Sequence, residues 1–283
     1  MNKNKSFTQF SRSLVVLWLS MFGIVPLALI LGLSFLQTGE HVLFRFHFTL
    51  ANYLNLADPL YAKIALQSFR LALTTTLLCL LIGYPMAYFI ARMDKKYQDF
   101  ALLMLIIPFW TSILIRIYAV MTLLKAQGLI NNFLMALGFI HQPLQLLYTE
   151  SAVLFGMTYS LLPFMIMPLY ASLEKLNPQV LEAAVDLGAN AWQRFWRVIL
   201  PQSWSGVIAG VTLVFLPTMT LFFIPVLLGG SRNLMLGNLI ETQLLSIHDW
   251  PAGAATSVAL SVVLLLLMGI YRALTRRRKE ASL

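Results

Sequence analysis

The chain has 283 residues, a mean hydropathy of +0.78, 59% hydrophobic residues and a formal net charge of +9. A water-soluble domain of this length does not need so much apolar sequence, so the chain is read by bilayer spans rather than by a water-excluded core. Cys79 is the sole cysteine, which excludes an internal disulfide and leaves the redox compartment undetermined.

In chain order, Lys3, Lys5 and Arg12 precede an apolar run over 14–36. That run is long for a signal-peptide core and lacks a clean small-residue cleavage site, which predicts an uncleaved first span. Further runs at 71–90, 101–124, 151–170, 205–228 and 252–271 predict an all-α membrane protein with six transmembrane helices. With the N-terminus in the cytoplasm, the inner set of basic residues is Lys3, Lys5, Arg12, Arg92, Lys95, Lys96, Lys175, Arg194, Arg197, Arg272, Arg276, Arg277, Arg278 and Lys279. The outer set is Arg45, Lys63, Arg70, Lys125 and Arg232. Fourteen against five places both termini inside and explains the basic balance without nucleic acid. The outer connections are long. Residues 48–53 suit an ordered loop segment, and 130–137 a short amphipathic helix on the outer surface, where an external partner has room to dock. No Pro/Gly/Ser linker interrupts the chain, so 1–283 is read as one domain.

The segment 171–203, between the fourth and fifth spans, is polar yet has the grammar of two ordered helices. Asn177 suits an N-cap with Pro178 in the first turn, and Gly188 suits a left-handed C′ stop. Asn190 suits the cap of a second helix, limited by Pro201 and faced with Trp192, Phe195, Trp196 and Val198. A charged, aromatic and folded cytoplasmic knob needs a partner to dock against.

The run Glu182-Ala183-Ala184, with Gly188 after a short gap and then Leu200-Pro201, resembles the EAA loop of ABC importer permeases. Ile107-Pro108-Phe109-Trp110-Thr111 with Ile115-Arg116-Ile117-Tyr118 is similar to the third span of the spermidine/putrescine permease B subunit type. So are Gly83-Tyr84-Pro85, Leu161-Leu162-Pro163-Phe164, Gly229-Gly230 with Asn233 and Gly237-Asn238, and Asp249-Trp250-Pro251. The resemblance implies a type I ABC importer permease fold of the bacterial inner membrane, with cytoplasmic coupling helices. It implies that Glu182, Ala183, Ala184, Asp186 and Gly188 couple to a separate ABC ATPase subunit, present in two copies and carrying the ATP and Mg. A second homologous permease subunit and a periplasmic substrate-binding protein complete the implied assembly. Val226 departs from the acid expected at that place in close polyamine relatives.

Prolines fall inside the spans at Pro26, Pro85, Pro108, Pro163, Pro168, Pro217 and Pro225. Each frees a backbone carbonyl, which in lipid is tolerated beside protein or a wet cavity. Seven together fit a conduit or a moving bundle as well as ordinary kinks. Arg116 is an ionisable residue inside a span and so a functional candidate; snorkelling or pairing is the plainer reading. The six runs contain no Asp or Glu, so a cation crossing them would meet aromatic faces and carbonyls. Phe109, Trp110, Tyr159, Phe222 and Phe223 are candidates for such a path, and packing is the alternative for each. Glu241 and Asp249 are the acids of the last outer connection; Asp249, before Trp250-Pro251, also suits a helix cap. Gly206 and Gly210, like Gly253, Ser257 and Ser261, form small faces for packing within this chain or against a second permease.

The sequence has no phosphate-binding Gly-rich loop, so ATP hydrolysis is expected elsewhere and no cofactor is expected in this chain. His41, His47, His141 and His248 all fall in outer loops, where solvation is the plain reading. An ion-coupled secondary transporter would explain the spans and prolines. It would leave the Glu182 segment unexplained and would predict inverted repeats and intramembrane acids. A membrane-embedded enzyme lacks a nucleophile–base or metal constellation.

Overall fold

The computed structural model describes residues 12–39, 44–230 and 234–280, the stretch 270–280 by its backbone alone. Lys3, Lys5, His41, Arg232, Asn233 and the side chains of Arg272 through Lys279 lie outside the described residues. The elements run α1 (Arg12–Leu33), β1 (Leu36–Gln37), β2 (Arg45–Phe48), α2 (Ala51–Asn55), α3 (Pro59–Ala91), α4 (Lys95–Ile106), α5 (Ile113–Leu124) and α6 (Leu129–Ala136). They continue with α7 (Glu150–Leu173), α8 (Pro178–Asp186), α9 (Ala191–Gln202), α10 (Trp204–Thr220), α11 (Leu236–Glu241) and α12 (Trp250–Glu280). Among the described residues five helical stretches are long and apolar enough to cross a membrane, one of them Ile113–Ala136, which takes in α5 and α6; a pair bent by 68°, α9 with α10, brings the count to six.

Three of the expected spans differ from their sequence bounds. The helix expected over 71–90 begins at Pro59, because proline is favourable in a first turn and nothing after it breaks the helix. The third expected span is not continuous. A 3-10 turn at Ile107–Trp110 follows α4, and Thr111 and Ser112 are extended before α5 starts. Pro108 supplies no N–H and sterically opposes the preceding turn. The fifth expected span ends at Thr220, with Leu221 extended (ψ 125°), and the chain resumes in a π-helical turn at Pro225–Gly229. Pro85, Pro163 and Pro168, by contrast, sit inside unbroken helices. The connection after α1 also holds a small antiparallel ladder pairing Leu36 with Phe48, where the sequence suggests helix or loop. Phe48 ends that ladder and Ala51–Asn55 is helical. The expected amphipathic helix is present as α6, with Leu129 and Phe133 exposed and Asn131 buried.

The chain divides into two compact units, Met1–Lys63 with Leu239–Leu283, and Ile64–Asn238. In the second unit, α7 packs along α10. A Cβ at Gly206 would lie 2.7 Å from the Pro168 carbonyl oxygen, and one at Gly210 would lie 2.6 Å from Met165 Sδ. The small face of α10 is therefore spent on close packing within this chain. Around it lies one apolar cluster of Tyr84, Ala87, Leu161, Met165, Leu169, Ile199 and Val207. A second cluster, further along α3 and α7, joins Leu71, Ile117, Val153, Met157, Ile224 and Leu228. In the first unit, a Cβ at Gly253 would press on Leu244 at 2.6 Å, and Ser257 and Ser261 return their hydroxyls to carbonyls one turn back.

Candidate functional site

The Glu182 segment is built by capping chemistry. The Asn177 side chain accepts from Gln179 N at 3.0 Å and Pro178 opens α8. The helix stops with Gly188 at φ +79°, the Gly188 N–H donating to Val185 O and the Ala189 N–H to Ala184 O. That double bond pattern is a Schellman stop, and the left-handed residue at its centre favours glycine. Asn190 then forms a reciprocal capping box with Gln193, at 2.8 and 3.0 Å. The limit that the sequence sets at Pro201 is not where the second helix ends. It runs on through a π-helical turn at Phe195–Ile199 and through Pro201 to Gln202, and the bend falls at Ser203. Pro201 occupies the first turn of a fresh α segment, where a missing N–H costs nothing.

Glu182, Ala183, Asp186 and Gly188 are exposed and Ala184 is half-buried. Glu182 and Asp186 stand one turn apart on α8, a like-charge pair that an isolated helix disfavours. Leu187, 88% exposed, and Trp192, 69% exposed, extend this acidic face with apolar surface. Beneath it the rings of Trp192, Phe195 and Trp196 form a cluster with centroids 5.4–6.4 Å apart. Phe195 meets Tyr84 edge-on at 5.5 Å, and the buried Tyr84 hydroxyl shares a 2.7 Å hydrogen bond with Ser203. The exposed face is thus tied by one ring chain and one hydrogen bond to α3 and to the bend that begins α10. Sequence reasoning reached Tyr84 only through a short motif and missed Ser203. The signal available was a tyrosine in an apolar run, whose hydroxyl demands a partner when buried.

The aromatic candidates lie at the two helix breaks and on α7. Trp110, 85% exposed, ends the 3-10 turn. Its neighbour Phe109 meets Phe164 of α7 at 5.9 Å, nearly perpendicular. Tyr159 is 39% exposed on α7. Its carbonyl lies one turn before Pro163, which cannot donate to it. Phe222 and Phe223 pack edge to face at 5.8 Å immediately after the break in the fifth span. The buried Asn238 holds that break open: its Nδ2 donates to Phe222 O at 2.6 Å and its Oδ1 accepts from Met235 N at 3.0 Å. Sequence reasoning reached Asn238 only through the Gly237-Asn238 pair of the resemblance and gave it no role, although a short polar side chain that bonds the backbone is a usual holder of a non-helical turn.

In the first unit Glu241 is half-buried at the end of α11. Asp249 caps α12, its Oδ1 accepting from Ala252 N at 3.1 Å and from the Thr38 hydroxyl at 2.6 Å. The ion pair among the described residues joins Arg70 and Glu150. No group of metal-ligating side chains gathers among the described residues.

The family profile described as binding-protein-dependent transport system inner membrane component matches residues 79–280. The spermidine/putrescine transport system permease protein PotB of Escherichia coli strain K12 is 48% identical over 91% of this chain and 94% of its own length. The protein of that name from Salmonella typhimurium strain LT2 is 48% identical over 91% and 90%. Its Haemophilus influenzae counterpart is 42% identical over 95% and 94%. A chain in the crystal structure of a bacterial alginate ABC transporter, in complex with its pentasaccharide-bound periplasmic protein, shares the fold. It superposes with a TM-score of 0.79 at 18% identity, over 97% of this chain and 96% of that one.

Proposed function

The chain belongs to the binding-protein-dependent transport inner membrane component family, and from that premise we propose that it is the permease subunit of an ATP-driven polyamine importer. The observation that carries the cargo assignment is 48% identity over 91% of the chain to permeases of spermidine/putrescine transport systems. The chemistry is compatible: the runs that cross the bilayer carry aromatic faces and broken backbone in place of acids, and a dispersed polycation can be passed along such surfaces. In this reading 1–283 is one permease domain in the bacterial inner membrane. A periplasmic protein delivers cargo to the outer connections, and a second permease chain completes the conduit. Two ATPase copies, holding ATP and Mg, grip the faces built by Glu182, Ala183, Ala184, Asp186 and Gly188. Closure of the ATPases pulls α8 and α9, and the Tyr84–Ser203 tie passes that movement into α3 and α10. The acidic, apolar-tipped face of α8 suits a basic, apolar-lined cleft on the ATPase.

The test is uptake of labelled putrescine and spermidine by a strain lacking its own polyamine importers, supplied with this chain and its partner subunits. ATP-dependent accumulation of either is expected, and none at all would overturn the cargo reading. Glu241→Gln probes the outer mouth. Two charges about 4 Å apart attract by roughly 1 kcal/mol in water and roughly 4 at an effective dielectric near 20. Loss of one acid is therefore expected to weaken uptake at low polyamine concentration and to leave the rate near saturation intact. Unchanged uptake would remove Glu241 from the path.

Orientation is tested separately. The distribution of basic residues supports a cytoplasmic place for both termini and for residues 171–203. In a Cys79→Ser background, Asn190→Cys is expected to resist an impermeant thiol reagent applied to cells with a permeabilised outer membrane, and to react in inverted vesicles. Labelling in the intact cells would reverse the topology and with it the coupling assignment.

A further inference from the structure

Arg116 sits in the first turn of α5, beside the break and within the expected span 101–124, about 12 Å before the end of that span at 1.5 Å per residue. An ionised group at that depth needs compensation. The Nε and Nη1 atoms of Arg116 are buried without a hydrogen-bond partner among the described residues. What the guanidinium does have is a ring. Its Cζ lies 4.4 Å from the centroid of Phe109, on the 3-10 turn at the break in the third span. Phe109 is itself braced by Phe164. A cation held by an aromatic face, with these two nitrogens free of directional bonds, can leave that face when another cation arrives.

We propose that Arg116 is a specificity-determining residue: a resident cation that occupies the Phe109 face and is displaced by the ammonium group of the cargo. This rests on the polyamine reading above. The arrangement does two things that a bare aromatic path would not. It keeps a positive charge at the break, which repels small inorganic cations too weakly bound to displace a guanidinium. It also sets a threshold, because cargo must outcompete Arg116 before it gains the ring. A polyamine has several ammonium groups on a flexible chain, so one group can displace the guanidinium while others hold neighbouring sites.

The test uses the assembled transporter in proteoliposomes, with Arg116→Met, Arg116→Lys, Phe109→Leu and the Arg116→Met/Phe109→Leu double variant. Wild-type uptake of putrescine is the internal control: if it is absent, the cargo reading fails and takes this inference with it. With uptake present, Arg116→Met is expected to lower KM by about threefold to tenfold, the range set by a partly desolvated cation–π contact. Arg116→Lys, still a cation, is expected to stay near the wild-type KM. Phe109→Leu should raise KM, and adding Arg116→Met to it should bring no further improvement. An unchanged or raised KM in Arg116→Met, with subunits still co-purifying, would overturn the inference. So would loss of subunit co-purification in Arg116→Met with rescue by Arg116→Lys, which would make Arg116 an assembly residue instead.

Discussion

Gly188→Val is expected to abolish ATP-driven uptake while the chain still inserts and accumulates in the membrane. The glycine stands at φ +79°, and a Cβ built there meets no atom within 4 Å. The substitution therefore tests conformation alone, without a clash. A left-handed backbone costs an ordinary residue roughly 1–2 kcal/mol, and a β-branched one is a genuine outlier there. That cost falls on the turn that sets α8 against α9, so the cheapest relief is to open the Schellman stop and misplace Glu182, Leu187 and Trp192. Gly188→Asn is expected to keep most of the uptake, because asparagine tolerates this backbone region. Glu182→Lys should copy the valine phenotype by another route, reversing a charge on an exposed face and leaving the helix intact. Measurements of uptake and of ATPase stimulation in the assembled transporter decide the matter. Full activity in both Gly188→Val and Glu182→Lys would remove this segment from energy coupling.

How legible these features were depends on the range of the interactions that make them. The caps at Asn177 and Asn190 and the stop at Gly188 use bonds within two to five residues, so the local sequence carries them. The spans were legible as apolar runs because a bilayer demands length and hydropathy and little else. The breaks were not placed. Seven prolines marked candidate faults, yet Pro163 and Pro168 stay helical while Leu221, which is no breaker, is extended. What decides there is a side chain sixteen residues away, Asn238, bonding to Phe222 O. The small faces were visible as Gly206 and Gly210, but their partner helix was not, since a spacing names a face and not what covers it. The same holds for Arg116: its depth followed from the sequence, whereas its ring partner depends on the 3-10 turn and extended residues over 107–112. The Tyr84–Ser203 bond, spanning 119 residues, had no signature beyond a tyrosine in an apolar run.

Asn238→Leu is the sharpest probe of the break in the fifth span. The side chain is 2% exposed and serves two backbone groups, Phe222 O and Met235 N. Leucine keeps the volume and removes both partners. Each stranded buried group costs about 1–3 kcal/mol, so the combined loss is roughly 2–6 kcal/mol, large for any single site. The stretch carrying Phe222 and Phe223 would then settle its carbonyls differently, as extension into helix or as a wetter loop. Uptake is expected to fall by more than tenfold, and the purified transporter to melt at lower temperature. Gly237→Ala attacks the same break from its other side. The added Cβ would press on Thr220 O and lie 2.9 Å from its carbonyl carbon, both backbone atoms that cannot swing away. Because both changes act on one arrangement, the double variant should be little worse than the more damaging single one, the mark of residues coupled through a shared backbone shift. Wild-type uptake and melting in Asn238→Leu would mean that the extended backbone at Leu221 is held by something other than this amide. The aromatic pair that follows it would then lose its claim to a fixed place along the path.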